Sequence, residues 1–379
     1  MKKIVSLLIF LVAAYSVQSQ NRVVTTGVPF LLITADAKSA GIGEQGVATS
    51  PDAFSQNWNP SKYAFAPNDS GLGISYTPYL SQLVNDIFLG NVTYYRTISD
   101  RAAWSASLKY FSLGEIEIGQ IPDDFINPLI ERPNEFVLDV GYALKLSDYF
   151  SMAVTGAFIN SDLKLDSDNS DASAVSTVAF GVSGFYQSDE IPYSEYSGQW
   201  RAGFNLSNMG PKLSYDEEGQ SDYLPTNLKI GGGFDFIFDS YNKLAVSLEI
   251  NKLLVPTPSE PIENAEGDII GYEQPDVSFI SGMFRSFGDA PDGFSEELKE
   301  FTWSLGAEFS YDDSFALRAG YFNESQDKGG RKFLTLGAGF EYNVVDIDLS
   351  YLISATKNIN PLENTLRFSL TFNLGEERY

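Results

Sequence analysis

The chain of 379 residues contains neither cysteine nor histidine. Without cysteine there is no disulfide framework, no thiol nucleophile and no thiolate metal site. Without histidine the commonest acid–base and metal-ligand side chain is missing, and a Ser-His-Asp triad cannot be assembled. Beyond the first twenty residues no stretch approaches the ~20 consecutive apolar residues of a transmembrane helix. Basic residues are scarce: 25 Lys and Arg stand against 50 Asp and Glu, a net charge of −25. So acidic a chain cannot hold nucleic acid by neutralising phosphates, and that partner is excluded. The acidic run Asp166-Ser-Asp168-Asn-Ser-Asp171 lacks the Gly and the closing Glu of an EF-hand loop and reads as solvated loop, not as a metal site. Carboxylate pairs are everywhere and none stands out. No catalytic residue, metal or cofactor is assigned, and the chain is not expected to be an enzyme.

What is present is a rhythm. Residues 1–20 form an export signal: Lys2 and Lys3 are followed by an apolar core, Ile4 to Ala14, and by Val17-Gln18-Ser19 before Gln20. From Gly71 to the C-terminus, segments of roughly ten residues alternate apolar and polar. Phe301, Trp303, Leu305, Ala307, Phe309 and Tyr311 fall on one face, with Thr302, Ser304, Gly306, Glu308 and Ser310 on the other. The connections are alternately short (Ser99 to Arg101, Ser147-Asp148, Asp312-Asp313, Asn343) and long (Leu113 to Asn134, Ser207 to Asn227, Leu253 to Glu300). Tight turns at one end and long loops at the other are the pattern of an outer-membrane barrel, and aromatic ends of the apolar faces fit its girdles.

The alternation predicts an all-β fold, a transmembrane antiparallel β-barrel of about fourteen strands. The strands begin near Gly71, Phe88, Ala102, Glu135, Tyr149, Ala174, Gly198, Leu228, Lys243, Phe301, Ser314, Phe333, Val345 and Asn364. The Gln187 to Ser197 connection fits least well. The inward face carries charges of both signs, among them Lys109, Asp139, Arg201, Lys229, Glu249, Arg318 and Arg367, which fits a mutually paired, solvated interior. Residues 21–70 do not alternate and read as an N-terminal plug, ahead of a barrel over 71–379 whose longest outward loop is 253–300. That loop holds Tyr272, Phe279, Met283, Phe284, Phe287 and Phe294, more apolar surface than a free loop exposes. Two readings follow: it packs back into the mouth, or it binds a partner.

Gly41, Gly43 and Gly46 match a dinucleotide-binding Gly pattern in letters only, since no βαβ unit surrounds them. With Val47-Ala48, Asp52-Ala53 and Asn59-Pro60 they resemble the plug of FadL-like outer-membrane proteins. The fuller run, Gly27 to Ile33, Gly43 to Ala53 and Gln56-Asn57-Trp58-Asn59-Pro60-Ser-Lys62, is similar to the PorV family of type IX secretion. The family motif reads Asn-Pro-Ala where this chain has Ser61, and Ala35 stands where Pro is expected. The resemblance implies an outer-membrane shuttle, surrounded by outer-membrane lipid, that binds the C-terminal signal domains of secreted cargo. It would collect cargo at a large translocon channel and deliver it to a surface attachment (sortase) complex. The competing expectation is a FadL-like transporter of hydrophobic small molecules, with a wall gap at glycines such as Gly231 and Gly233.

Overall fold

In the computed structural model, the described residues are 22–81, 83–118, 129–163, 174–215, 221–264, 267, 269–356 and 362–377. The export signal, Asn21 and the acidic loop at 166–171 lie outside them. Alternation resolves into fourteen long strands among the described residues: β1 Asn68–Pro78, β2 Ile87–Ser99, β3 Ala102–Leu113, β4 Asn134–Ser147, β5 Phe150–Asp162, β6 Val175–Gln187, β7 Ser197–Met209, β8 Asn227–Ile237, β9 Asn242–Leu253, β10 Phe301–Tyr311, β11 Phe315–Asn323, β12 Lys332–Tyr342, β13 Val345–Ser354 and β14 Leu366–Glu377. Each pairs antiparallel with its neighbour in sequence. The sheet closes when β14 pairs with β1, Leu370 opposite Ile74. Closure leaves no sheet edge, the condition for strands to cross a hydrocarbon layer with every backbone group paired.

Burial is inverted relative to a soluble protein. Leu305, Leu317, Leu334, Leu336 and Leu366 are exposed on the outer wall, whereas Ser304, Thr335, Arg367 and Ser369 are buried inside. Strand connections of a few residues gather at one end, including Asp100-Arg101 and Asp312-Asp313. The longer Ser188–Tyr196 connection extends β7 by a short arm, Ile191–Pro192, paired with Ser197 and Gly198. The long connections gather at the other end, called here the mouth.

The N-terminal segment runs inside this cylinder. Residues 22–35 lie at the mouth, where Val28, Phe30 and Leu31 form an apolar cluster with Leu89, Phe111, Val137, Ile159, Leu213 and Leu224. Helix α1 (Ala37–Gly41) follows, capped by Asp36, whose carboxylate accepts from Ser39 N–H. The chain then descends to the tight-turn end, where β1 begins. Its contacts reach inward-facing residues around the whole circumference, from Thr77 and Thr93 through Ser151 and Ser183 to Thr335 and Ser369.

Candidate functional site

Polar inward residues become the fastening points of the inner segment. Glu249 of β9 accepts the successive N–H groups of Gly46 and Val47, both at 2.8 Å. Thr335 of β12 accepts from Gly43 N–H at 2.8 Å and donates to the Gly41 carbonyl at 3.0 Å. Arg367 of β14 pairs with Glu44 at 2.6 Å. Asn59 donates to the carbonyls of Val47 (2.8 Å) and Gly184 (3.0 Å) and caps the short turn opened by Pro60. Trp58 donates to Asp36 at 2.8 Å, with the Lys229 ammonium 3.9 Å from the centre of its ring. Ser61, the departure from the family motif, takes part in this net: its hydroxyl bonds Asn59 and its carbonyl accepts from Ser151.

The motif glycines stand where the segment meets the wall or folds on itself. A Cβ on Gly41 would lie 3.0 Å from the Gly337 backbone, and one on Gly46 would collide with the Trp58 ring. Gly43 has φ +87°, and its Cβ would sit 3.1 Å from the Tyr321 backbone. Gly43→Ala is therefore expected to lose about 1–2 kcal/mol from the left-handed backbone alone, with the crowding added. The temperature at which the folded band converts to the unfolded one in electrophoresis should fall; an unchanged temperature would refute the account. Gly231 serves the same clearance, since its Cβ would press on Val47. β8 stays paired on both sides through Gly231, Gly232 and Gly233, so the wall gap expected there is not present. Gly231 and Gly233 admit the inner segment; they do not open the wall.

Above the segment, the longest loop forms a lid. It comprises a hairpin (Glu260–Glu263 with Ile269–Glu273), helix α2 (Phe279–Arg285) and helix α3 (Phe294–Glu297). Ions hold it down. Lys252, at the outer end of β9, lies 2.7 Å from both Glu297 and Glu300; Lys328 lies 2.8 Å from Glu296 and 3.0 Å from Glu300. Arg22 pairs with Glu296 at 3.3 Å and sits over the Tyr272 ring. On the other flank the Tyr223 hydroxyl lies 2.8 Å from the Pro275 and Val277 carbonyls, and Lys212 pairs with Asp276 at 2.7 Å. Burial opposes the charge of Glu296, but the Lys328 hydrogen bond and the nearby cations hold its carboxyl below the ordinary value. Burial pushes Asp289 the other way.

Removing one member of such a buried cluster leaves its partners charged and dry. Lys252→Met is expected to cost roughly 3 kcal/mol locally. The signature is faster proteolytic cleavage between Leu253 and Glu300 with an intact barrel, and a wild-type cleavage rate would count against the latch.

The six loop residues named from sequence divide into two groups. Tyr272, Phe279 and Met283 are half-buried, the Tyr272 ring beneath the Arg22 guanidinium. Phe284 (75% exposed), Phe287 (48%) and Phe294 (75%) face outward. Ile280, Phe284 and Phe287 follow the spacing i, i+4, i+7 and form one stripe along and just beyond α2. The latch cations Arg22, Lys252 and Lys328 went unread, because their partners come from distant segments and Lys252 breaks the alternation of β9. At the mouth, a cavity of about 580 Å³ lies between the N-terminal segment and inward-facing strand residues such as Lys109, Asp139 and Lys229.

Comparison with known proteins adds two findings. A model of the family described as "Type IX secretion system protein PorV" matches residues 16–260. No curated protein sequence matches. Among solved structures, the P. putida toluene transporter TodX is similar with a TM-score of 0.54 at 11% identity, over 91% of this chain and 100% of that one. A TodX mutant described as a monoaromatic hydrocarbon channel gives 0.53 at 12% identity, over 89% and 99%. At these identities the likeness is one of fold.

Proposed function

The chain belongs to the PorV family of type IX secretion system proteins, an outer-membrane barrel of that system, and from this premise we propose that its lid is the cargo-binding face. In this reading the exposed stripe of Ile280, Phe284 and Phe287, with Phe294 beside it, meets apolar patches on the C-terminal signal domain of a secreted protein. The observation that carries it is an apolar surface held outward on an ion-latched frame; an unanchored loop would bury these rings. Cargo would be taken up beside the translocon channel and passed to the attachment complex, with no bond made or broken here. Abundant loop carboxylates would speed encounter with basic cargo more than they add affinity. The inner segment would act as a plug, keeping the lumen closed while cargo is exchanged above it.

A transporter of hydrophobic small molecules is less well supported: the inward face is polar and β8 is continuous where a gap was expected. Affinity purification of the tagged protein from solubilised outer membranes, with mass spectrometry, separates the two readings. The expected result is co-recovery of a very large barrel and of proteins sharing a C-terminal sandwich domain. A barrel recovered alone with fatty or aromatic molecules would overturn the cargo reading.

A further inference from the structure

Residues 22–27 form a strap at the mouth, and Val23 to Thr26 line the cavity there. The backbone hydrogen bonds of the strap run to three residues. Lys328 donates to the Arg22 carbonyl at 3.1 Å, Gln274 donates to the Thr25 carbonyl at 2.8 Å, and Gly27 N–H donates to the Tyr223 carbonyl at 3.0 Å. Each of these partners also belongs to the lid or holds it. Lys328 pairs with Glu296 and Glu300, Gln274 directly follows the lid hairpin, and the Tyr223 hydroxyl bonds Pro275 and Val277. The Arg22 side chain adds Glu296, Asp292 and the Tyr272 ring. Where the strap passes into the plug, Val28 is 1% exposed and stands at φ 45°, ψ 52°. That left-handed conformation is one a β-branched residue rarely adopts, so its surroundings impose it.

Segments that share their fastenings open together, because releasing one removes the contacts that order the other. Lifting the lid takes Gln274, Tyr272 and Glu296 away from the strap, and with them the restraint that keeps Val28 in its strained turn. We propose that lid and strap are one gate: they leave and return to the mouth as a single cooperative unit that pivots at Val28, and the cavity loses its Val23 to Thr26 wall whenever the lid unlatches. Coupling of this kind is reciprocal, so an ordered strap also holds the lid down. The gate does not depend on what the lid binds. Whatever seats on the lid acts through the strap on the entry of the plug.

The test is hydrogen–deuterium exchange of the full-length protein in detergent, read by mass spectrometry on peptides covering residues 22–31 and 274–300. Lys252 pairs with Glu297 and Glu300 and lies over the Phe301 ring, none of them in the strap. Lys252→Met should nevertheless speed exchange in both peptides together, by roughly a hundredfold. The reverse direction is read with a staple. A Cβ at position 27 lies 3.1 Å from that of Asp222, a few tenths of an ångström from disulfide spacing, and the chain has no cysteine of its own to interfere. Gly27→Cys with Asp222→Cys, once oxidised, should slow exchange of the lid peptide severalfold, and reduction should restore it. Faster exchange in the lid with residues 22–31 at the wild-type rate would overturn the proposal. So would lid exchange that is the same with the staple closed and reduced. If Lys252→Met does not give a folded band, the stapled protein before and after reduction decides alone.

Discussion

A protein carrying Phe284→Glu together with Phe287→Glu is expected to reach the outer membrane as a folded barrel and to lose cargo capture. Neither side chain belongs to the sheet, and Phe284 is 75% exposed, so the substitutions remove little folded-state packing. Helix α2 keeps its Ser278 cap, and the latch on Glu296, Glu297 and Glu300 is untouched. The loss falls on the bound state. Each aromatic ring that would be desolvated against a partner contributes about 1.5–3 kcal/mol, and a carboxylate in its place must be stripped of water without a partner. Two such changes predict a fall of roughly a hundredfold or more in captured cargo. The measurement is the amount of a secreted substrate attached at the cell surface, alongside the heat-modifiable folded band of the variant. Wild-type attachment by a folded variant would remove the lid from the binding face.

Deleting residues 22–66 is expected to turn a closed barrel into a conducting one. The deletion retains β1, which begins at Asn68, and so leaves the closed ladder intact. It empties the lumen of α1, the turns around Asn57 to Phe65, and the mouth cluster of Val28, Phe30 and Leu31. The wall groups left behind, such as Glu249, Thr335 and Arg367, are polar and accept water in place of the segment. Planar-bilayer recordings should show stable conductance absent from the wild-type protein, and cells should become sensitive to antibiotics too large for a closed outer membrane. Wild-type conductance after the deletion would mean that another segment closes the lumen.

How much of this was legible in the chain follows from the range over which each feature is determined. The strands were readable because a strand's two faces are written every second residue; Phe301 to Tyr311 announces both lipid and lumen without reference to any other segment. Strand starts placed near Phe88, Ala102, Lys243, Phe301, Phe333 and Val345 lie within one residue of those observed. The gathering of tight turns at one end and long connections at the other was legible too, since connection lengths are also local. The inner segment was marked by its broken alternation and its glycines, but its grip on the wall was not, since Glu44 meets Arg367 across 323 positions. Gly231 and Gly233 misled, because a glycine in a strand looks the same whether it bends the wall or makes room for another chain. The sequence by itself determined the period, the closed antiparallel class and the family, all carried by short-range pattern. Only the tertiary structure decided which loop aromatics face water and which cations latch the lid. Those outcomes depend on burial and on partners brought together by barrel closure, such as Arg22 and Glu296 at a separation of 274 residues.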